Sequence, residues 1–318
     1  MIARVSAIIP VYNGERWISD AIASIHAQTV AVSEIIVVDD HSGDDTARIA
    51  ESTGASVIRL AKNSGEASAR NIGIQNAKYN YIAMLDADDY WAPNHIEALL
   101  SLLARYPEAA VGCAATQRVG EKSGIVTGYV PEGGPHYVFY QAFDDWLHTT
   151  IGCLFKRDAL LAIGGFCEDQ RMSCDYDLWL RLSRKYLFAC SREITSYWRW
   201  HSNQMSQSYP AQLKAVYYYR HKLFKTFHNE GNRPEARLLA NRCIELWSKD
   251  CAYLPGASEL DYCRSLLDCA IYMRPSSIAS LLLFSKTLIK QVLRYTIILA
   301  NRSLSFSFHQ AAAASKHP

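Results

Sequence analysis

The run Glu34-Ile35-Ile36-Val37-Val38, closed by Asp39-Asp40, decides the fold. Its Ile and Val residues follow one another without polar alternation, the pattern of a strand buried on both faces of a parallel sheet. Residues 5–9, 56–60 and 81–85 read the same way. Between these runs, Trp17, Ile18, Ala21, Ile22 and Ile25 recur at helical spacing, and residues 44–52, 66–77 and 93–106 also read as helices. Parallel neighbours need crossovers, so the repeating β-α units predict an α/β fold with an open, doubly wound, mostly parallel sheet.

Past residue 115 the pattern loosens. Gly120, Gly124, Gly128 and Pro131-Glu132-Gly133-Gly134-Pro135 punctuate residues 116–150, where a functional loop is expected. An apolar strand follows at 151–155, then a short helix ending in Gly164-Gly165, a helix over 176–185 and a strand over 195–200. Beyond Pro210 the reading is helical, over 212–229, 234–250, 258–270 and 276–300, which places a boundary between a domain of residues 1–210 and a helical tail of residues 211–318.

The two regions differ in charge. The whole chain of 318 residues carries +2, too near balance for a bulk nucleic-acid binder. Residues 1–210 nevertheless hold 18 basic and 24 acidic side chains, residues 211–318 hold 15 and 7, and nothing acidic follows Asp268. Lys286, Lys290 and Arg294 recur at i+4 within the apolar stretch 278–300, which suits contact with an anionic membrane surface and makes a spanning helix costly. Nine cysteines show no CxxC spacing and no regular framework. They read as reduced thiols, with Cys113 and Cys153 as small apolar strand residues. The start, Met1-Ile2-Ala3-Arg4-Val5, has too short an apolar run for a secretory signal. The expected location is the cytoplasm, with peripheral contact to the inner face of the cytoplasmic membrane.

In an open parallel sheet, ligands bind beyond the carboxyl ends of the strands. Polar residues follow each run here: Asn13, then Asp39 and Asp40, then Asn63, then Asp86 and Asp88. Ile9-Pro10-Val11-Tyr12-Asn13-Gly14 is no GxGxxG loop, which disfavours a nicotinamide dehydrogenase. Leu85-Asp86-Ala87-Asp88-Asp89 is the sharpest signal. In an extended segment Asp86 and Asp88 point the same way, and two hard carboxylates suit Mg²⁺ or Mn²⁺. Helix capping by Asp88 or Asp89 is the plainer alternative.

Together these residues resemble the family 2 glycosyltransferases of the GT-A fold. The segments are Ile8-Ile9-Pro10-Val11-Tyr12-Asn13, Val37-Val38-Asp39-Asp40-His41-Ser42, Asn63-Ser64-Gly65-Glu66-Ala67-Ser68-Ala69-Arg70-Asn71-Ile72-Gly73 and Leu85-Asp86-Ala87-Asp88-Asp89, extended by Gly164-Gly165-Phe166 and Asp175-Tyr176-Asp177-Leu178-Trp179-Leu180-Arg181. The resemblance implies inverting transfer of a sugar from a nucleotide-diphosphate donor, UDP-linked, to a hydroxyl of a glycan or lipid-linked acceptor. By the same resemblance Pro10, Tyr12 and Asn13 frame the base and ribose, and Asp39 accepts from the base. Arg70 reaches the nucleotide, Asp86 binds the ribose or a metal-bound water, and Asp88 binds Mn²⁺ or Mg²⁺. Asp175 is the implied general base, although the family's Glu-Asp pair reads Cys174-Asp175 here. His201, within Trp200-His201-Ser202-Asn203, is the implied neighbour of the metal or diphosphate.

Plainer readings stand beside these. Arg70 could pair with Glu66 four residues earlier, Asp175 could cap its helix, and Trp198 and Trp200 read as core. Two other functions stay open. A non-catalytic nucleotide-sugar binder, or scaffold in a polysaccharide-assembly complex, would lack donor hydrolysis. A nucleotidyltransferase would want a phosphate loop after the first strand.

Overall fold

The computed structural model describes residues 3–121, 123–126, 132–145, 148–202, 204 and 209–250. Four parallel strands open the fold: β1 (Val5–Val11), β2 (Glu34–Asp39), β3 (Ser56–Arg59) and β4 (Tyr81–Met84). They lie in the order β3-β2-β1-β4. Crossover helices α1 (Ile18–His26), α2 (Thr46–Ser52) and α3 (Glu66–Asn76) join them. Ile18, Ala21, Ile22 and Ile25 of α1 are buried, as their spacing requires. Gly73 lets α3 approach β1 closely, because a Cβ there would lie 2.4 Å from Ile8 Cγ2.

The short strand β5 (Tyr90–Trp91), antiparallel to a later strand, and helix α4 (His95–Arg105) lead to β6 (Ala109–Gly120), of which the sequence reading marked Cys113 as a strand residue without giving the strand bounds. Its run of Ala and Gly has little intrinsic strand preference. The small residues serve packing: a Cβ on Gly112 would stand 3.1 Å from Leu103 Cγ of α4. Strands β7 (Gly124–Val126) and β8 (Gly133–His136) and helix α5 (Phe139–Asp144) occupy the region read as loop. After a 3₁₀ turn, Thr150–Gly152, come β9 (Cys153–Lys156), α6 (Arg157–Ala162), α7 (Cys174–Ser183) and β10 (Leu187–Trp200). The sheet continues from β4 through β9, β6 and β10 to β5. β9 runs antiparallel to both neighbours, while β6 and β10 are parallel.

Two compact units divide the chain, Met1–Ser208 and Tyr209–Pro318. In the second, α8 (Tyr209–Asn229) packs on α9 (Arg233–Asp250). Among the described residues no helix is long and apolar enough to cross a membrane. The helices expected at 258–270 and 276–300, with Lys286, Lys290 and Arg294, lie outside the described residues.

Candidate active site

Asp39 ends β2 fully buried. Its Oδ1 accepts the Ser42 N–H at 3.0 Å, Oδ2 lies 3.2 Å from Arg59 Nε, and Oδ2 has no hydrogen-bond partner. A buried acceptor left open is costly unless something donates to it. Asp40, next in the chain, is structural: its two oxygens accept the N–H groups of Ser64 and Gly65 at 2.6 and 2.7 Å and fix the loop before α3.

Around β1 the expected frame is only partly realised. Tyr12 is 55% exposed, an open ring beside the strand ends. Asn13 adopts φ 51° and spends its side-chain oxygen on the Gly43 N–H at 2.9 Å. Pro10 is buried within β1, paired in register with Val38. It shapes the strand and offers a ligand little surface, a departure from the expected contact.

Arg70 also departs from expectation. Its side chain, 3% exposed, ends between two carboxylates, with Nη2 2.5 Å from Glu66 and 2.6 Å from Asp86. Nη1 donates to Cys174 Sγ at 3.5 Å, Nη2 to Thr150 Oγ1 at 3.4 Å, and the guanidinium stands 5.1 Å from the Phe166 ring centroid. Only Nε lacks a hydrogen bond. The residue therefore acts as a buried tie joining α3, the end of β4, the turn before β9 and the start of α7. The i+4 pairing with Glu66 is real, yet it is a minor part of what Arg70 does.

The segment after β4 is a turn rather than an extension, because the Asp89 N–H donates to the Asp86 carbonyl at 3.0 Å. No helix begins there, so capping does not explain the acids. Asp86 and Asp88 still converge. Burial, and then the neighbouring Asp86, push the Asp88 carboxyl above the ordinary range. His201 Nε2 lies 3.0 Å from Asp88 Oδ2, and its ring stacks on Trp17 with centroids 5.7 Å apart. Asp89 is buried, accepts the Arg199 N–H at 2.8 Å and is pushed well up, chiefly by burial.

Asp175 lies in the first turn of α7, after Ser173 at φ 55°, and is not the residue at the cap position. Its Oδ1 accepts the Tyr176 N–H at 2.9 Å. Asp177 is buried and bonded to Arg181 Nε at 2.7 Å, which gives it a structural role. The carboxylates of Asp86, Asp175 and Asp88 share one electrostatic neighbourhood with Glu66. Burial pushes Glu66 up to about 7, Arg70 opposes this, and the three aspartates add to it.

Four contributors, Trp17, Tyr90, Arg199 and Thr150, escaped the sequence reading of the site. Trp17 and Tyr90 sandwich Arg199, with centroid distances of 4.9 and 4.8 Å, and this holds the end of β10 against the acid turn. Alternation along residues 197–201 was the available signal. Thr150 had none. Trp198 and Trp200 are half-buried and flank Arg118, at 5.5 and 5.2 Å from its guanidinium.

The arrangement is a cluster of acids chemically suited to a cation or to proton uptake, and at the end of β2 Asp39 Oδ2 is ion-paired to Arg59 with no hydrogen bond of its own. Comparison with known proteins gives it a family. The sequence model of Glycosyl transferase family 2 matches residues 6–162. An uncharacterized glycosyltransferase of Rickettsia prowazekii, RP339, is 35% identical over 219 residues, covering 66% of this chain and 68% of that protein. The Escherichia coli enzyme WfgD, a UDP-Glc:alpha-D-GlcNAc-diphosphoundecaprenol beta-1,3-glucosyltransferase, is 39% identical over 104 residues, 32% of this chain and 41% of its own. Among solved structures, S. aureus TarS 1-349 in complex with UDP-GlcNAc superposes with a TM-score of 0.71 at 15% identity, covering 97% of this chain and 92% of that one. The chain belongs to glycosyltransferase family 2 and is a glycosyltransferase of the GT-A fold.

Proposed function

We propose that this glycosyltransferase takes a sugar from a UDP-linked donor and passes it, with inversion, to a hydroxyl of a glycan or lipid-linked acceptor. The observation that carries the reading is the meeting of Asp86, Asp88 and Asp175 around Glu66, with Asp39 open at the end of β2. Asp39 Oδ2 accepts from the base, and Tyr12 covers its face. Asp175 takes the proton of the acceptor hydroxyl as that oxygen attacks the anomeric carbon. Asp86, held by Arg70, orients the donor. The names of WfgD and TarS, one acting from UDP-Glc onto a diphosphoundecaprenol-linked sugar and the other seen with UDP-GlcNAc, favour this class of donor and acceptor.

The carboxylates also fit a divalent ion. Asp88 is raised by burial and by its neighbour Asp86, a repulsion that a cation relieves, and His201 supplies a nitrogen 3.0 Å away. Asp88, Asp86 and His201 would hold Mn²⁺ or Mg²⁺, which when bound supplies Lewis acidity against the charge of the diphosphate. The basic segment 278–300 is proposed to bring the enzyme to the inner face of the cytoplasmic membrane, where a lipid-linked acceptor resides.

The test is a panel of nucleotide sugars offered to the full chain with Mn²⁺ or Mg²⁺, with and without a polyprenyl-diphosphate sugar acceptor. Release of UDP that rises with acceptor supports the reading. Donor binding without turnover favours a binder, and pyrophosphate release from a nucleoside triphosphate favours a nucleotidyltransferase.

A further inference from the structure

Three cysteines stand in one row across the middle of the sheet. Cys113 of β6 is the register partner of Cys153 on β9 and of Cys190 on β10. Register partners project to the same face of a sheet, so all three thiols share one side. In the neighbouring row on that face, Val111 is opposite Phe155 and Phe188, and Trp179 of α7 packs against both rings, at centroid distances of 5.7 and 6.0 Å. The thiols therefore lie beneath α7, and all three cysteines are buried.

His148 completes the group. Trp179 Nε1 donates to the His148 carbonyl at 3.0 Å and fixes the residue against α7. The ring is 5% exposed, no nitrogen or oxygen atom reaches its nitrogens, and the Cys190 thiol is the polar group against it. One nitrogen of this ring and the sulfurs of Cys113 and Cys190 lie within 4.8 Å of one another. Cys153 Sγ is 3.4 Å from Cys113 Sγ. In a tetrahedral zinc site, Zn–S bonds of about 2.3 Å place sulfurs roughly 3.8 Å apart, so these spacings need only small rotations about χ1.

We propose that Cys113, Cys190 and His148, with Cys153 as the adjacent fourth donor, form a buried structural site for Zn²⁺. Two thiolates and a neutral imidazole balance the charge of one divalent ion, which a buried location demands. Cys113 and Cys190 each give a proton to solvent as the sulfur bonds the ion, and Cys153 keeps its own. Sulfur ligands select a soft or borderline ion, so Mg²⁺ and Mn²⁺ are left to the carboxylates of the active site. The ion ties β9, β6 and β10 to the segment that precedes β9. The buried imidazole thereby gains a stronger partner than the Cys190 thiol alone.

Cobalt is the direct probe. One equivalent of Co²⁺ added to reduced, chelator-treated full-length protein should give a thiolate-to-cobalt charge-transfer band. The band should vanish in Cys113→Ser and Cys190→Ser, weaken in His148→Gln and persist in Asp88→Asn. Zinc K-edge absorption on the wild-type chain gives a second reading that needs no variant, with two or three sulfurs at about 2.3 Å and nitrogen at about 2.0 Å. Absence of the band, its survival in both cysteine variants, or a zinc shell of oxygen and nitrogen alone would overturn the site.

Discussion

Arg70 Nη2 and Asp86 Oδ1 meet at 2.6 Å in a buried contact that Glu66 shares from the other side. Two carboxylates thus depend on one guanidinium. Removing it leaves both, each about one-third exposed, to repel one another with only partial solvation. Arg70→Met should cost about 1–3 kcal/mol in urea unfolding, between the scales of an exposed and a fully buried pair. Arg70→Lys, which keeps the charge but not the fork, should fold better and still lose turnover through a misplaced Asp86. Wild-type kcat in the lysine variant would show that Arg70 does not position Asp86.

Asp88 faces both Asp86 and His201. Asp88→Asn should remove most turnover and raise the Mn²⁺ concentration needed for half-maximal rate. Full activity in excess chelator would reject metal dependence.

An amide in place of the Asp175 carboxylate keeps an oxygen for the Tyr176 N–H and removes the charge that the proposed base requires. Asp175→Asn should leave UDP-sugar affinity intact and lower kcat by roughly 10²–10⁴-fold. Calorimetric donor titration beside steady-state kinetics separates the two effects. Unchanged turnover would move the base elsewhere.

His95 is fully buried, stacks on Trp91 at 4.6 Å and bonds through Nδ1 to Thr195 Oγ1 at 2.8 Å. Burial lowers it from 6.5 to about 3, so the unfolded chain takes up this proton first as pH falls. The stability that neutral His95 contributes is complete above pH 6.5 and is lost progressively down to about pH 3. Near pH 5 the loss is roughly 2 kcal/mol, at about 1.4 kcal/mol per unit. Urea midpoints at pH 7.5 and 5.0 should converge in His95→Gln relative to wild type. An identical pH dependence in the two proteins would count against this assignment.

The proposed membrane attachment would rest on Lys286, Lys290 and Arg294. Charge reversal of all three in the full chain should abolish sedimentation with anionic liposomes, since each basic side chain near the surface contributes about 1 kcal/mol of attraction. Equal sedimentation of both forms would refute it.

What the sequence disclosed follows from how locally each feature is encoded. The strands β1 to β4 announce themselves in Ile and Val runs, and the acids at their ends sit where an open parallel sheet must put them. The extent of β6 stayed hidden, Cys113 alone reading as a strand residue, because its Ala and Gly answer to packing against α4 rather than to strand preference. Asp86 and Asp88 were read on an extended segment, and the structure has a turn there that keeps the two carboxyls close enough to interact. The burial of Arg70 was illegible for a similar reason. Of its partners, Glu66 alone is a helical neighbour, while Thr150, Phe166 and Cys174 reach it only through the fold.

The antiparallel insertion of β9 reverses a convention of open sheets. Where β1, β2 and β4 turn their ends toward the ligand edge, β9 turns its beginning there, so Thr150 arrives beside Arg70 from the amino side of a strand. The site is thus assembled from two senses of chain travel. Strand pairing fixes β1, β2 and β4 in register, while the segment entering β9 is outside that pairing. If the proposed donor site lies at those strand ends, an insertion ahead of β9 should alter acceptor choice and leave UDP-sugar affinity unchanged.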